Sequence, residues 1–80
     1  MKDIIVTVTD ENKTFSQDVE IPVELTIQKL KIDLSDALRQ HNLFYSEEKI
    51  KLFHCRSNSF LNDGTLETEG VWNGDYIIVI

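Results

Sequence analysis

Residues 73–80 read Asn-Gly-Asp-Tyr-Ile-Ile-Val-Ile, NGDYIIVI. Asn73-Gly74-Asp75 is turn chemistry, and Tyr76 to Ile80 is a run of β-branched and aromatic residues, as strong a strand signal as five residues give. Where so apolar a strand is seated decides the fold.

Upstream, Thr65 to Val71 holds too few apolar residues for a long element, so one short helical turn is expected with Leu66 and Val71 pinned inward. Asn62-Asp63-Gly64 is a turn, Phe60-Leu61 a very short strand, and Ser57-Asn58-Ser59 a loop. Lys49 to Arg56 reads as a strand with Ile50 and Leu52 inward. Before it, the apolar residues of Leu43-Phe44-Tyr45 are expected to tuck beneath the domain. Ile27, Leu30, Leu34, Ala37 and Leu38 recur at helical spacing, with Gln28, Lys31, Ser35 and Arg39 on the other side and Ile32 breaking the division. The spacing predicts a helix from about Ile27 to Gln40, with Thr26 as N-cap, Leu25 and Leu30 as a hydrophobic staple, and Asn42 as C-cap. At the N-terminal end, Ile4, Val6 and Val8 alternate with Ile5, Thr7 and Thr9, and a second run, Thr14 to Ile21, follows the polar connection Asp10-Glu11-Asn12-Lys13. Pro22 closes that second run because it has no N–H to give a ladder.

Composition bounds the rest. Eighty residues make one domain, 1–80, with a single core. No apolar run approaches the roughly 20 residues that span a bilayer, and the alternating MKDIIVTVTD is no signal-peptide core, so direct membrane insertion is not expected. One cysteine, Cys55, permits no internal disulfide, no Cys/His cluster has zinc spacing, and no calcium-loop spacing occurs. No metal and no cofactor is expected, and a cytoplasmic location fits. Fourteen acidic against eight dispersed basic residues give a charge of −6, which repels a phosphate backbone and favours a neutral or basic protein partner over nucleic acid.

The order strand, strand, helix, strand, short strand, turn, strand describes an α+β fold: a mixed four- to five-stranded sheet packed on one main helix, in sheet order 2-1-5-3-4, the β-grasp. The sequence resembles ubiquitin-like proteins along nearly its whole length. The resemblance is carried by Ile4 and Val6, by Thr26-Ile27 with Leu30 and Leu34, by Leu61-Asn62-Asp63-Gly64-Thr65-Leu66, and by Tyr76 to Val79. Among these it is most similar to the small YukD/EsaB proteins of Gram-positive bacteria, on its length, its extended helix, the Asn73-Gly74-Asp75 turn and its finish just after the final strand. That resemblance implies an accessory or regulatory component of the type VII secretion system, working with its proteins in the cytoplasm and recruited by partners to the inner membrane face.

Ubiquitin and the sulfur carriers act through a mobile diglycine tail. Here Gly64, Gly70 and Gly74 all lie in turns and the last residue is the β-branched Ile80, so neither conjugation nor sulfur transfer is expected, and no acyl-adenylate on Ile80. What remains is recognition by surface. If Ile4, Val6, Val8, Ile50, Leu52, Ile77 and Val79 face the helix, then Ile5, Phe53, Ile78 and Ile80 project from the opposite face of the sheet, ringed by Lys51, Thr7 and Tyr76. The resemblance implies that this face binds protein. Strand propensity alone also places apolar residues there.

Other residues read structurally. His54 and Cys55 are strand neighbours pointing apart, so they cannot share a proton, and no second acid is evident to complete a site. Asp10, Glu11, Glu47, Glu48, Glu67 and Glu69 read as solvated loop carboxylates. Trp72 is expected to plug the end of the core, the alternative being an exposed interface anchor. Three function classes follow: an interaction module, which is favoured; a modifier or sulfur carrier with an extended tail; and a small enzyme, opposed by the lack of a convergent polar site. An exposed edge strand leaves room for weak pairing with a second copy.

Overall fold

Ile4, Val6 and Val8 share one parity of an extended chain, and a strand with one apolar face lays that face on a core. In the computed structural model, which describes residues 2–80, strand β1 (Asp3–Asp10) does so, with all three side chains buried. Strand β2 (Ser16–Pro22) pairs antiparallel with it from Asp3 opposite Pro22 to Thr9 opposite Ser16. Phe15 just ahead of β2 is buried, while Val19 and Ile21 pack at the core's margin.

Helix α1 (Ile27–Arg39) starts where Thr26 caps it, the hydroxyl accepting from the Lys29 amide at 3.1 Å. It ends at Arg39 with Gln40 as its C-cap, two residues short of the Asn42 read from the sequence. That residue takes the left-handed conformation (φ 62°), while the Leu43 and Asn42 amides donate to the carbonyls of Leu38 and Arg39. Ile27, Leu30, Leu34 and Leu38 are buried. Ala37 is only half covered, and Ser35, read from spacing as outward, is buried instead with no partner for its hydroxyl among the described residues. A buried hydroxyl without a partner costs about 1–3 kcal/mol, and alanine is the better helix former. Ser35→Ala is therefore expected to raise stability by about 1 kcal/mol in urea unfolding, and a destabilised variant would refute this reading of the site.

Strand β3 (Leu52–His54) is shorter than the eight residues expected. At its start the Ile50 amide donates to the Ser46 carbonyl in a turn, and past its end the Asn58 amide donates to Cys55 in another. Strands β4 (Ser59–Leu61) and β5 (Tyr76–Val79) complete a five-stranded sheet in the order β2-β1-β5-β3-β4, with β5 parallel to β1 and antiparallel to β3. Ile80 continues the ladder by exchanging both main-chain hydrogen bonds with Lys51. The sheet order is the one read from the sequence, and β5 lies at its centre.

Residues 62–67 turn back beside the chain that enters α1: Ile27 donates to Gly64, Leu66 to Leu25 and Glu67 to Val23. Gly64 makes this possible with φ 86°, where a Cβ would also sit 2.6 Å from the Thr68 hydroxyl. The expected helical turn follows, with Glu69 donating to Thr65 and with Leu66 and Val71 both buried.

Two further expectations need correction. Asp10 is not a solvated loop residue: it is buried, and its carboxylate accepts from the Thr14 hydroxyl and the Phe15 amide, closing the β1–β2 connection. The Thr14 hydrogen bond leads the effects that lower its pKa. Phe44 does not tuck under the domain. It is 74% exposed, whereas Leu43 and Tyr45 on either side pack against the core, because neighbours in an extended segment point apart.

Candidate protein-docking face

The sheet buries one face under α1, so alternate residues of β1, β5, β3 and β4 are left on the other. Their register sets the order. Thr9 lies beside Ile78, Ile78 opposite Phe53, and Phe53 opposite Phe60, which makes one row across four strands. Ile80 and Lys51 form the next row on one side, and Thr7 with Tyr76 the row on the other. Phe53 and Phe60 meet edge to face with centroids 5.3 Å apart, and the Lys51 ammonium stands 5.9 Å from the Phe60 ring centre. Phe53, Ile78 and Ile80 are half-buried, so they offer partly exposed apolar surface held in a fixed ladder.

Of the residues read as candidates, Lys51, Phe53, Ile78 and Ile80 come together. Ile5 shares the face and is 47% exposed, yet the Thr7–Tyr76 row separates it from Ile78. Phe60 belongs to the patch and the sequence reading missed it. Its parity, opposite to the buried Leu61, was the available signal.

A second constellation was not foreseen. His54 shares the inward parity of Ile50 and Leu52 and is fully buried. Its Nε2 lies 2.7 Å from the Asp75 carboxylate, and its Nδ1 lies 2.8 Å from the Ser57 hydroxyl, which contacts the Ser59 hydroxyl at 2.8 Å. Asp75, itself buried, also accepts from the Arg56 guanidinium at 3.0–3.2 Å and from the Trp72 amide at 2.8 Å. Burial pushes the Asp75 pKa up, but Arg56, the Trp72 amide and His54 together hold it down at about 2. An ionised Asp75 makes His54 Nε2 the donor, and in the neutral imidazole Nδ1 then accepts from Ser57.

The expectation that no acid completes a site with His54 is thus overturned. Ser57, His54 and Asp75 are the residue types of a nucleophile relay, but Asp75 already has its charge matched by Arg56, and His54 exposes no surface. The arrangement ties the 72–75 turn to β3. Cys55, pointing the other way, is a half-buried free thiol.

Trp72 does not plug the core. It is 67% exposed, with the Arg56 guanidinium stacked 4.8 Å from its ring, and Arg56 is anchored in turn by Asp75 and the Gly70 carbonyl. A cation pair outside the core and an amide bond to Asp75 hold the indole outward. Its emission is expected to be that of a solvated indole, readily quenched by iodide in the folded protein; a blue-shifted, protected emission would contradict this placement.

No protein-family model and no curated protein matches the sequence. Solved structures do. The ubiquitin-like domain of an Arabidopsis thaliana protein superposes with a TM-score of 0.80 at 20% identity, covering 100% of this chain and 78% of that one. The ubiquitin of Caldiarchaeum subterraneum gives 0.78 at 17% identity over 99% of this chain and 92% of its own. A further N-terminal ubiquitin-like domain gives 0.77 at 15% identity, covering 98% and 73%. At these identities the likeness is one of fold, and the fold is the ubiquitin-like β-grasp.

Proposed function

We propose that this protein is a non-enzymatic interaction module that presents the open face of its sheet to another protein. The observation that carries the reading is the continuous row Ile78, Phe53 and Phe60 with Ile80 and Lys51 beside it: apolar side chains fixed by ladder pairing, with one cation at the rim. Rigid aromatic and aliphatic anchors of this kind bind with little ordering cost.

The finer reading comes from the resemblance to the YukD/EsaB proteins. In it the module is an accessory or regulatory component of a type VII secretion system, cytoplasmic, recruited to the inner membrane face by that machinery, and not conjugated to its targets. The net charge of −6 suits a neutral or basic protein surface better than nucleic acid. Affinity purification from native cytoplasm and solubilised membranes tests it. Enrichment of secretion ATPase or membrane subunits by the wild type, lost with Phe53→Asp, supports the reading, and the same proteins captured equally by both would refute it. Covalent adducts of Ile80 in the same samples would favour the modifier class instead.

A further inference from the structure

We propose that the open face of the sheet is polarised and takes a protein surface whose apolar centre is bordered on one side by Lys and Arg, oriented with those bases over β2; the inference rests on reading that face as a docking surface. The ladder register places the charges. Asp3 stands opposite Pro22, Ile5 opposite Glu20 and Thr7 opposite Asp18, all in the parity that points away from the buried Ile4, Val6 and Val8. The Thr7 hydroxyl donates to the Asp18 carboxylate at 2.7 Å, which holds that carboxylate on the open face. Asp3, Asp18 and Glu20 are exposed, and none has an ion-pair partner among the described residues.

No base offsets them on their own strands. β2 carries no Lys or Arg, nor do positions 3, 5, 7 and 9 of β1, while Glu11 and Lys13 in the turn between the strands balance each other. Lys51 stands at the diagonally opposite corner, beside Ile80 and over the Phe60 ring. The face therefore has an acidic corner around the exposed Ile5 and an apolar row, Ile78, Phe53 and Phe60, leading away from it.

Charge and spacing select the occupant. β2 lies two strand spacings from β5, so Asp18 sits roughly 10–12 Å from Ile78, an offset at which one partner surface covers the row and reaches the acids together. Bases over Asp18 and Glu20 steer the encounter and fix its orientation, because the reversed pose sets them against Lys51. A second copy of this chain, at −6, or a nucleic acid brings negative charge to the same corner and is disfavoured.

The test selects binders to the intact protein from a phage library of a three-helix bundle randomised over one surface, and titrates the enriched bundle against variants. The expected bundle pairs an apolar cluster with Lys or Arg on one side, shifts the amides of Phe53, Ile78 and Asp18, and binds more weakly as salt rises. Asp18→Asn with Glu20→Gln is expected to weaken it roughly fivefold at low salt. Asp33→Asn with Asp36→Asn on α1, across the sheet from this face, makes the same change in net charge and is expected to leave affinity within about twofold. Bundles that lose binding with Phe53→Asp but carry no excess of bases, or that weaken equally with both neutralised pairs, would overturn the polarity while leaving the open face as the docking surface. No enrichment, or bundles indifferent to Phe53→Asp, would overturn both.

Discussion

Asp75→Ala is expected to lower unfolding free energy by about 3–5 kcal/mol, the range for removing one member of a buried, hydrogen-bonded charge network. Asp75 is the common acceptor for His54, Arg56 and the Trp72 amide, so its loss leaves a fully buried imidazole with an unpaired N–H and frees the turn that launches β5. A chain of this size has only about 4–12 kcal/mol in total, and each kcal/mol shifts its melting temperature by roughly 4–8 °C. Thermal and urea unfolding measure the loss directly. A change within about 0.5 kcal/mol of wild type would mean that the network is not made in solution.

The same carboxylate gives a pH dependence of fixed sign. Its folded pKa of about 2 lies below the unfolded value of 3.8, so the folded state favours the ionised form. The resulting stabilisation, about 2 kcal/mol, is present in full above the unfolded pKa and is lost as pH falls through the folded one. Measured as the difference between wild type and Asp75→Asn, in which the other carboxylates cancel, it should shrink as pH falls from about 4 to 2. A difference that stays level down to pH 2 would assign the stabilisation to shape rather than charge.

Periodicity carried most of the fold into the sequence. The alternation of Ile4, Val6 and Val8, the helical spacing of Ile27 to Leu38 and the apolar run 76–80 each reflect burial on one side or both, and burial is what β-grasp packing imposes on residue choice. Turn chemistry at Asn62-Asp63-Gly64 and Asn73-Gly74-Asp75 was equally legible, because Gly64 and Gly74 adopt positive φ. What the sequence did not yield are pairings between polar residues far apart in the chain. His54 and Asp75 lie 21 positions apart and meet only once β5 is seated beside β3. Asp10 reads as a loop carboxylate until Thr14 and Phe15 are seen to close on it. The outward turn of Trp72 depends on Arg56, whose own position depends on Asp75. Such contacts leave no period, so burial of a polar residue is invisible to a pattern that counts only apolar ones.

Phe53→Asp carries the largest expected effect on binding. Phe53 is the middle member of the row Ile78, Phe53, Phe60, touching Phe60 edge-on and paired opposite Ile78, so a carboxylate there meets any partner at the centre of the patch. Truncating a central aromatic anchor costs about 2 kcal/mol or more, roughly thirtyfold in Kd, and a charge left against an apolar partner adds a desolvation penalty. The cost to folding is far smaller, about 1 kcal/mol for the lost aromatic pair, since the side chain lies outside the main core. Ile78→Asp tests the same row from β5, the central strand. Ile5→Asp, beyond the Thr7–Tyr76 row, is expected to weaken binding less than either. Calorimetry with the partner recovered by affinity purification, alongside thermal unfolding of each variant, separates binding from folding. If folded Phe53→Asp and Ile78→Asp bind as the wild type does, the open face of the sheet is not the docking surface.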